Sequence, residues 1–283
     1  MRRSAERMSS ITGVLLLAVC GSVAVGEWMG ACGSPAESTA ATITHLPPVG
    51  YTEITDRDFS SKAQSRDDTA GAQGWDPDGE FAAPLFTVIS DASAPRSAPL
   101  VGQMRYSAGF AGGDEPALLD KRIDAGYASL YIDLWLKLSP NWYGHPTGVN
   151  KILFIWMAGN PKFVLSADGE AQGVLRPSIR IQDSPDGTPV RGPNVVPTAE
   201  VVRGAWQHWQ LIVTANTPGI ANGAARWWID GRLASDYRNI DMAASAESPT
   251  WQIFQWAPTW GGVGGVLANE QFMWWDHVYL SGK

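Results

Sequence analysis

The sequence predicts an all-β domain of two antiparallel sheets packed face to face, and three observations predict it. Residues 206–231 (WQHWQLIVTANTPGIANGAARWWIDG) read as strand, broad turn, strand and tight turn. Ser129–Leu138 alternates apolar and polar residues without error. Thirty Gly and 19 Pro are spread along the 283 residues with no sustained helical period. Many short strands joined by turns suit a sandwich, and about 200–250 residues is an ordinary size for one.

Taken in order, Met1, Arg2, Arg3 and Arg7 precede an apolar run at 11–26, the pattern of an export signal. The run falls short of the roughly 20 residues that a membrane-spanning helix needs. Both cysteines lie in this leader. Cys32 follows the small residues Gly30 and Ala31, and Cys20 sits inside the apolar run. Each resembles the acylated cysteine of a bacterial lipoprotein, with Cys32 the preferred position. The expectation is an exported protein, periplasmic, membrane-anchored or at the cell surface, that meets the membrane only through residues 1–32. Residues 33–50 read as a flexible linker of Ser, Ala, Thr and Pro, and 51–283 as the folded domain. Past Cys32 no cysteine remains, so that domain has neither a disulfide nor a thiol nucleophile.

Residues 56–80 are polar and end in the turn-rich WDPDGE. Asp76, Asp78 and Glu80 space oxygen ligands as a calcium loop does, although Gly79 is misplaced for an EF-hand and the late glutamate is missing. Calcium is the one cofactor suggested. Strands are predicted at 85–89, Ser129–Leu138, Lys151–Met157, 175–182, Trp251–Trp256 and 271–280. Within Ser129–Leu138 the leucines and Ile132 form a core face. Tyr131, Asp133, Trp135 and Lys137 form the other, with the composition of a solvated groove that stacks on a sugar ring. In 206–231, Trp209, Leu211 and Val213 alternate with His208, Gln210 and Ile212, and Asp230-Gly231 favours a type I′ hairpin turn.

A formal charge of −7 is the opposite of what a nucleic acid or an anionic membrane surface attracts. Fourteen Trp, twelve of them from Trp135 onward, exceed what one core requires, so some are expected to face a ligand. Trp209 and one of Trp227 and Trp228 are assigned to the core, and Trp135 to the groove. Trp228 with Trp256 or Trp260 would extend it.

The segments YASLYIDLWLKLSPNW (127–142), GVNKILFI (148–155), NTPGIANGAARWWIDG (216–231) and FMWWDHVYLSG (272–282) resemble the concanavalin A-like lectin and glucanase superfamily. Within it they are most similar to the alginate and glucuronan lyases. The resemblance implies a jelly roll. In those lyases the segment matching 148–155 reads glycine-lysine-leucine-proline-glycine-leucine; Lys151 matches the lysine, while Phe154 and Ile155 stand where proline and glycine follow. Superfamily glycosidases commonly carry Glu-x-Asp-x-x-Glu on one strand, and no Glu here has an acid two residues on.

A lyase needs a cation or amide to neutralise a uronate and a His, Tyr or Lys to take the proton α to the carboxyl group. Arg180 on one sheet face with His208, Lys151 or Tyr279 supplies those groups, provided that the faces line one groove. His277 adjoins Asp276, but strand neighbours point to opposite faces, so it reads as structural; His145 reads as locally bonded. The leading expectation is a lectin-like sandwich that binds polysaccharide or oligosaccharide without cleaving it, through Tyr131, Asp133, Trp135, Lys137, Gln182 and Trp228. The alternatives are a uronate-polymer lyase and an accessory subunit packed on a membrane protein complex.

Overall fold

The computed structural model describes residues 47–59, 75–77, 85–187, 189–243 and 249–283. The chain divides into Met1–Thr42 and Ile43–Lys283, and every described residue lies in the second unit. The cysteines Cys20 and Cys32, with Asp78 and Glu80, lie outside the described residues. No helix among the described residues is long and apolar enough to cross a membrane.

The described residues form strands β1 (Thr52–Arg57), β2 (Trp75–Pro77), β3 (Phe86–Ser90), β4 (Leu100–Tyr106), β5 (Leu119–Arg122), β6 (Ser129–Leu138) and β7 (Lys151–Met157). They continue with β8 (Lys162–Asp168), β9 (Arg176–Gln182), β10 (Gln207–Thr214), β11 (Gly223–Ile229), β12 (Arg232–Ile240), β13 (Trp251–Trp256) and β14 (Gln271–Gly282). One sheet runs β12-β11-β10-β6-β14-β4-β3, and the other β2-β5-β13-β7-β8-β9. All pairings between these strands are antiparallel.

The same edge of β14 carries two partners: β4 along Gln271 to Trp275 and β1 along Val278 to Gly282. A bulge between Asp276 and Val278 marks the handover, and there His277 adopts a left-handed φ of 53°. The predicted hairpin turn is present, with Asp230 at φ 50° and Gly231 at φ 73°.

Large aromatics join the sheets. Trp256 of β13 stacks on Trp275 of β14 with centroids 4.1 Å apart, and Phe86 of β3 meets Trp256 edge-on at 5.2 Å. Trp209 and Trp227 are buried in the same core, as their alternation requires. Trp256 and Trp260 are buried too, so neither extends an exposed aromatic face. Strand β1 escapes the sequence pattern because it ends inward on Arg57, a fully buried guanidinium lying over the rings of Phe59 and Phe86.

Candidate functional site

On β7, β8 and β9 the apolar residues Ile155, Phe163, Leu165, Ile179 and Ile181 belong to the core between the sheets. Their alternates therefore share the outer face of the six-stranded sheet. Register builds that face in rows. Lys151 pairs with Ser166 and Ser166 with Ser178; Phe154 pairs with Val164 and Val164 with Arg180; Trp156 pairs with Lys162 and Lys162 with Gln182. A bulge between Lys151 and Leu153 returns Lys151 to this face. The floor is apolar, a separate cluster of Phe154, Val164 and Ala257 with Trp156 packed against it.

Arg180 is buried, and its guanidinium is fully addressed. Asp168 at the end of β8 takes it with both oxygens, at 3.1 Å from Nη1 and 2.5 Å from Nη2, while Ser166 Oγ and Ser178 Oγ lie 3.0 and 3.1 Å from Nη1. Ser178 Oγ also donates to Asp168 over 2.6 Å. Beside this knot, half-buried Lys151 places its ammonium 5.4 Å from the Phe154 centroid. Burial, and after it the Arg180 charge, hold that ammonium below the ordinary lysine range, with Glu115 pulling partly the other way. Glu115 is the complement: burial and then the Asp114 charge push its carboxyl up.

Lys162 lies 4.4 Å over the Trp156 ring and pairs with Asp183 at 2.7 Å. The indole N–H of Trp156 donates to Gln255 over 3.1 Å, and Gln255 donates to Asp120 over 2.9 Å, so a chain of polar contacts fixes the ring. The face thus combines an apolar floor, the amine of Lys151, the ion-paired cations Lys162 and Arg180, and two serine hydroxyls.

Outside the eight-stranded sheet the sequence row of β6 is present, with Tyr131 and Asp133 buried and Trp135 and Lys137 half-buried. Tyr131 and Asp133 are each 3% exposed. The Tyr131 hydroxyl donates to Asp133 over 2.9 Å and accepts from Gln210 over 2.8 Å, and His208 Nε2 lies 2.7 Å from the other Asp133 oxygen. The Tyr279 ring packs edge-on against Tyr131 at 6.2 Å, helping to close the groove expected there. Trp135 stacks on His208 with centroids 4.7 Å apart. Lys137 pairs with Asp91 between the rings of Trp206 and Trp274. Trp228 is half-buried on β11.

The candidate residues therefore divide. Lys151, Arg180 and Gln182 occupy the six-stranded sheet, while Tyr131, Asp133, Trp135, Lys137, His208, Trp228 and Tyr279 occupy the eight-stranded one. One groove joining Arg180 to His208 or Tyr279 is not formed, because the hydrophobic core lies between their faces. Burial also raises the Tyr279 phenol, which opposes its acting as a base. Asp76 lies within β2, paired with Asp120, rather than in a turn. Among the described residues no group of three His, Cys, Asp or Glu could hold a metal ion. Asp168 and Glu115 are additions to the site; neither stands in a sequence pattern, since each acquires its partner only through the sheet.

No family model and no curated protein sequence matches the chain. Solved structures do. A variant of alginate lyase Aly36B in complex with an alginate trisaccharide matches at TM-score 0.61 and 12% identity, over 81% of this chain and 98% of that one. The PL-14 alginate lyase of the marine Aplysia kurodai matches at 0.59 and 12%, over 82% and 100%. The fold is a concanavalin A-like jelly roll. The endo-β-1,4-glucuronan lyase of the fungus Trichoderma reesei shares it, at TM-score 0.54 and 14% identity over 82% and 96%. The likeness carries the sequence resemblance as far as architecture.

Proposed function

We propose that the protein is a polysaccharide lyase that cleaves a uronate polymer by β-elimination on the outer face of its six-stranded sheet. The observation that carries this reading is Lys151, a half-buried amine held below the usual lysine range within a row of hydroxyls and beside Arg180. The free amine takes the proton from C5, α to the carboxylate; the C4–O4 bond breaks, a C4=C5 double bond forms, and O4 leaves with a proton returned from the Lys151 ammonium or taken from water. Lys162, paired with the exposed Asp183, neutralises uronate carboxylates as charge builds on the carboxyl oxygens, and Arg180, held by Asp168, fixes the face beside it. Trp156 and Phe154 carry the sugar rings. Solved structures of the same fold named as alginate and glucuronan lyases, one holding an alginate trisaccharide, support the reaction class. The 1–32 leader, read as an export signal, would bring the enzyme to polymers outside the cytoplasm.

The test is incubation with alginate and with glucuronan, followed by the ultraviolet absorbance of the unsaturated product. Wild type is expected to give signal with at least one polymer, and Lys151→Met to lose roughly 10²–10⁴-fold. No signal from wild type on either polymer, or full activity in Lys151→Met, rejects the reading.

Binding without cleavage is the second reading, favoured by the half-buried stack of Trp135 on His208 and by Trp206 and Trp274 on either side of Lys137. Under it a glycan array shows a ligand for wild type and for Lys151→Met but not for Trp135→Ala.

A further inference from the structure

The loops that join β6 to β7 (139–150), β8 to β9 (169–175) and β13 to β14 (257–270) enclose a cavity apart from the Lys151 face. Backbone bridges tie them together: Gly144 pairs with Ala171, and Asn150 with Trp260. Buried His145 adds to this, its Nε2 lying 2.6 Å from the Gly264 carbonyl oxygen and its ring meeting Trp260 edge-on at 4.6 Å. The cavity measures about 610 Å3, within the ~300–1,000 Å3 usual for small-molecule sites. Asn141, Tyr143, Gln172, Val266 and Asn269 are among the residues that line it, and no Asp, Glu, Lys, Arg or His does.

Tyr143 is the exposed aromatic of this cavity, 44% accessible. Its backbone is pinned from both sides: its N–H donates to Gln271 Oε1 over 2.7 Å, and its carbonyl accepts the Trp260 indole N–H over 2.8 Å. The ring is thus displayed on a fixed segment, and its hydroxyl bonds no other described residue. The neighbouring amides are oriented by their nitrogens. Asn141 Nδ2 donates to the Glu270 carbonyl over 2.7 Å, and Gln172 Nε2 donates to the carbonyls of Asn141 and Trp142 over 3.2 and 3.1 Å. With the nitrogens engaged, Asn141 Oδ1 and Gln172 Oε1 remain as acceptors, and neither bonds any other described residue. Asn269 adds an amide side chain that likewise bonds none.

We propose that this cavity binds a neutral hexopyranose unit of an oligosaccharide. A pyranose carries hydroxyl donors around a ring whose C–H face is apolar. The hydroxyls meet the amide oxygens and the Tyr143 hydroxyl, and the ring face lies on Tyr143 and against Val266. The same lining disfavours a uronate. Its carboxylate has acceptors only, and would stand against amide oxygens with no cation in the lining to offset the loss of water. The cavity therefore selects against the charged sugar that the Lys151 face is proposed to take, and the assignment stands whether or not the chain cleaves a uronate polymer.

The test titrates the full chain, by calorimetry and by saturation-transfer NMR, with cellopentaose, mannopentaose, laminaripentaose and an alginate pentasaccharide. Binding of at least one neutral oligomer is expected, weakened roughly tenfold or more in Tyr143→Ala and retained in Lys151→Met. Tyr143 contacts Gln271 and Trp260 through its backbone, so removing its ring leaves the loops in place. Wild type that binds none of the neutral oligomers overturns the proposal, and so does neutral binding that is unchanged in Tyr143→Ala. Loss of neutral binding in Lys151→Met moves the sugar to the Lys151 face, and alginate binding in Lys151→Met that depends on Tyr143 removes the selection against charge. Either of these results also overturns the assignment.

Discussion

Asp168 and Arg180 meet diagonally across β8 and β9, carboxylate edge to guanidinium edge, with side chains 20% and 10% exposed. Two charges taken this far from water offset one another, and the two neighbouring serines satisfy the remaining hydrogen-bond capacity. The pair thus fixes the geometry of the face on which Lys151 sits.

Breaking that pair leaves a charge stranded. Asp168→Ala is expected to cost about 3 kcal/mol of stability, measured by urea denaturation. The double replacement Asp168→Leu with Arg180→Met should cost less than the single one, because no charge is then left unpaired. Equal losses would place the cost in packing rather than in the ion pair.

The pH dependence follows from Lys151. With a folded-state value below that of the unfolded chain, Lys151 binds fewer protons when folded, so its contribution to stability rises with pH between the two values. If the free amine is the base, activity rises through the same lowered value. Glu115 pulls Lys151 upward, so Glu115→Gln should move the acid limb of the kcat/KM profile to lower pH. A limb that does not move would remove Glu115 from the site.

The inter-sheet stack gives a core prediction. Trp256→Ala removes the ring that meets Trp275, Phe86 and Phe59, and should cost 3–5 kcal/mol or more, about the range for a buried Trp, read by thermal or urea unfolding.

Gly102 marks where β4 passes that stack. A methyl group there would stand 2.7 Å from Phe59 and 2.9 Å from Trp256, so Gly102→Ala is expected to destabilise by roughly 1–3 kcal/mol through overpacking. A neutral result in calorimetry would show that both rings move aside freely.

Much of the architecture was legible because one face of each main strand is core. The alternation in β6 and β10 and the Asp-Gly turn after β11 each specify local geometry without reference to distant residues. Strand β1 was hidden by the inward Arg57, and β8, KFVLSAD, carried no clean alternation. The site was less readable for a physical reason. Period two tells which residues of a strand share a face, but not which sheet the strand joins. Arg180 and His208 looked compatible on that measure and are separated by the core. For a related reason the divergence of strand neighbours does not hold at Asp276-His277: both contact residues 96 and 97 beside the bulge, and the sequence shows no sign of one.

The position of β14 bears on how the molecule is made. It is the latest in sequence of the fourteen strands among the described residues, yet it lies between β6 on one side and β4 with β1 on the other. Until it emerges from the ribosome, the eight-stranded sheet exists as three unjoined pieces, β12-β11-β10-β6, β4-β3 and β1 alone, with bare edges of unpaired backbone groups where β14 will lie. The pairings that unite them span most of the domain, a topology that folds slowly and late. Assembly of this sandwich therefore waits on its final strand, and during synthesis the nascent chain remains open, a form that a chaperone can hold and a protease can cut.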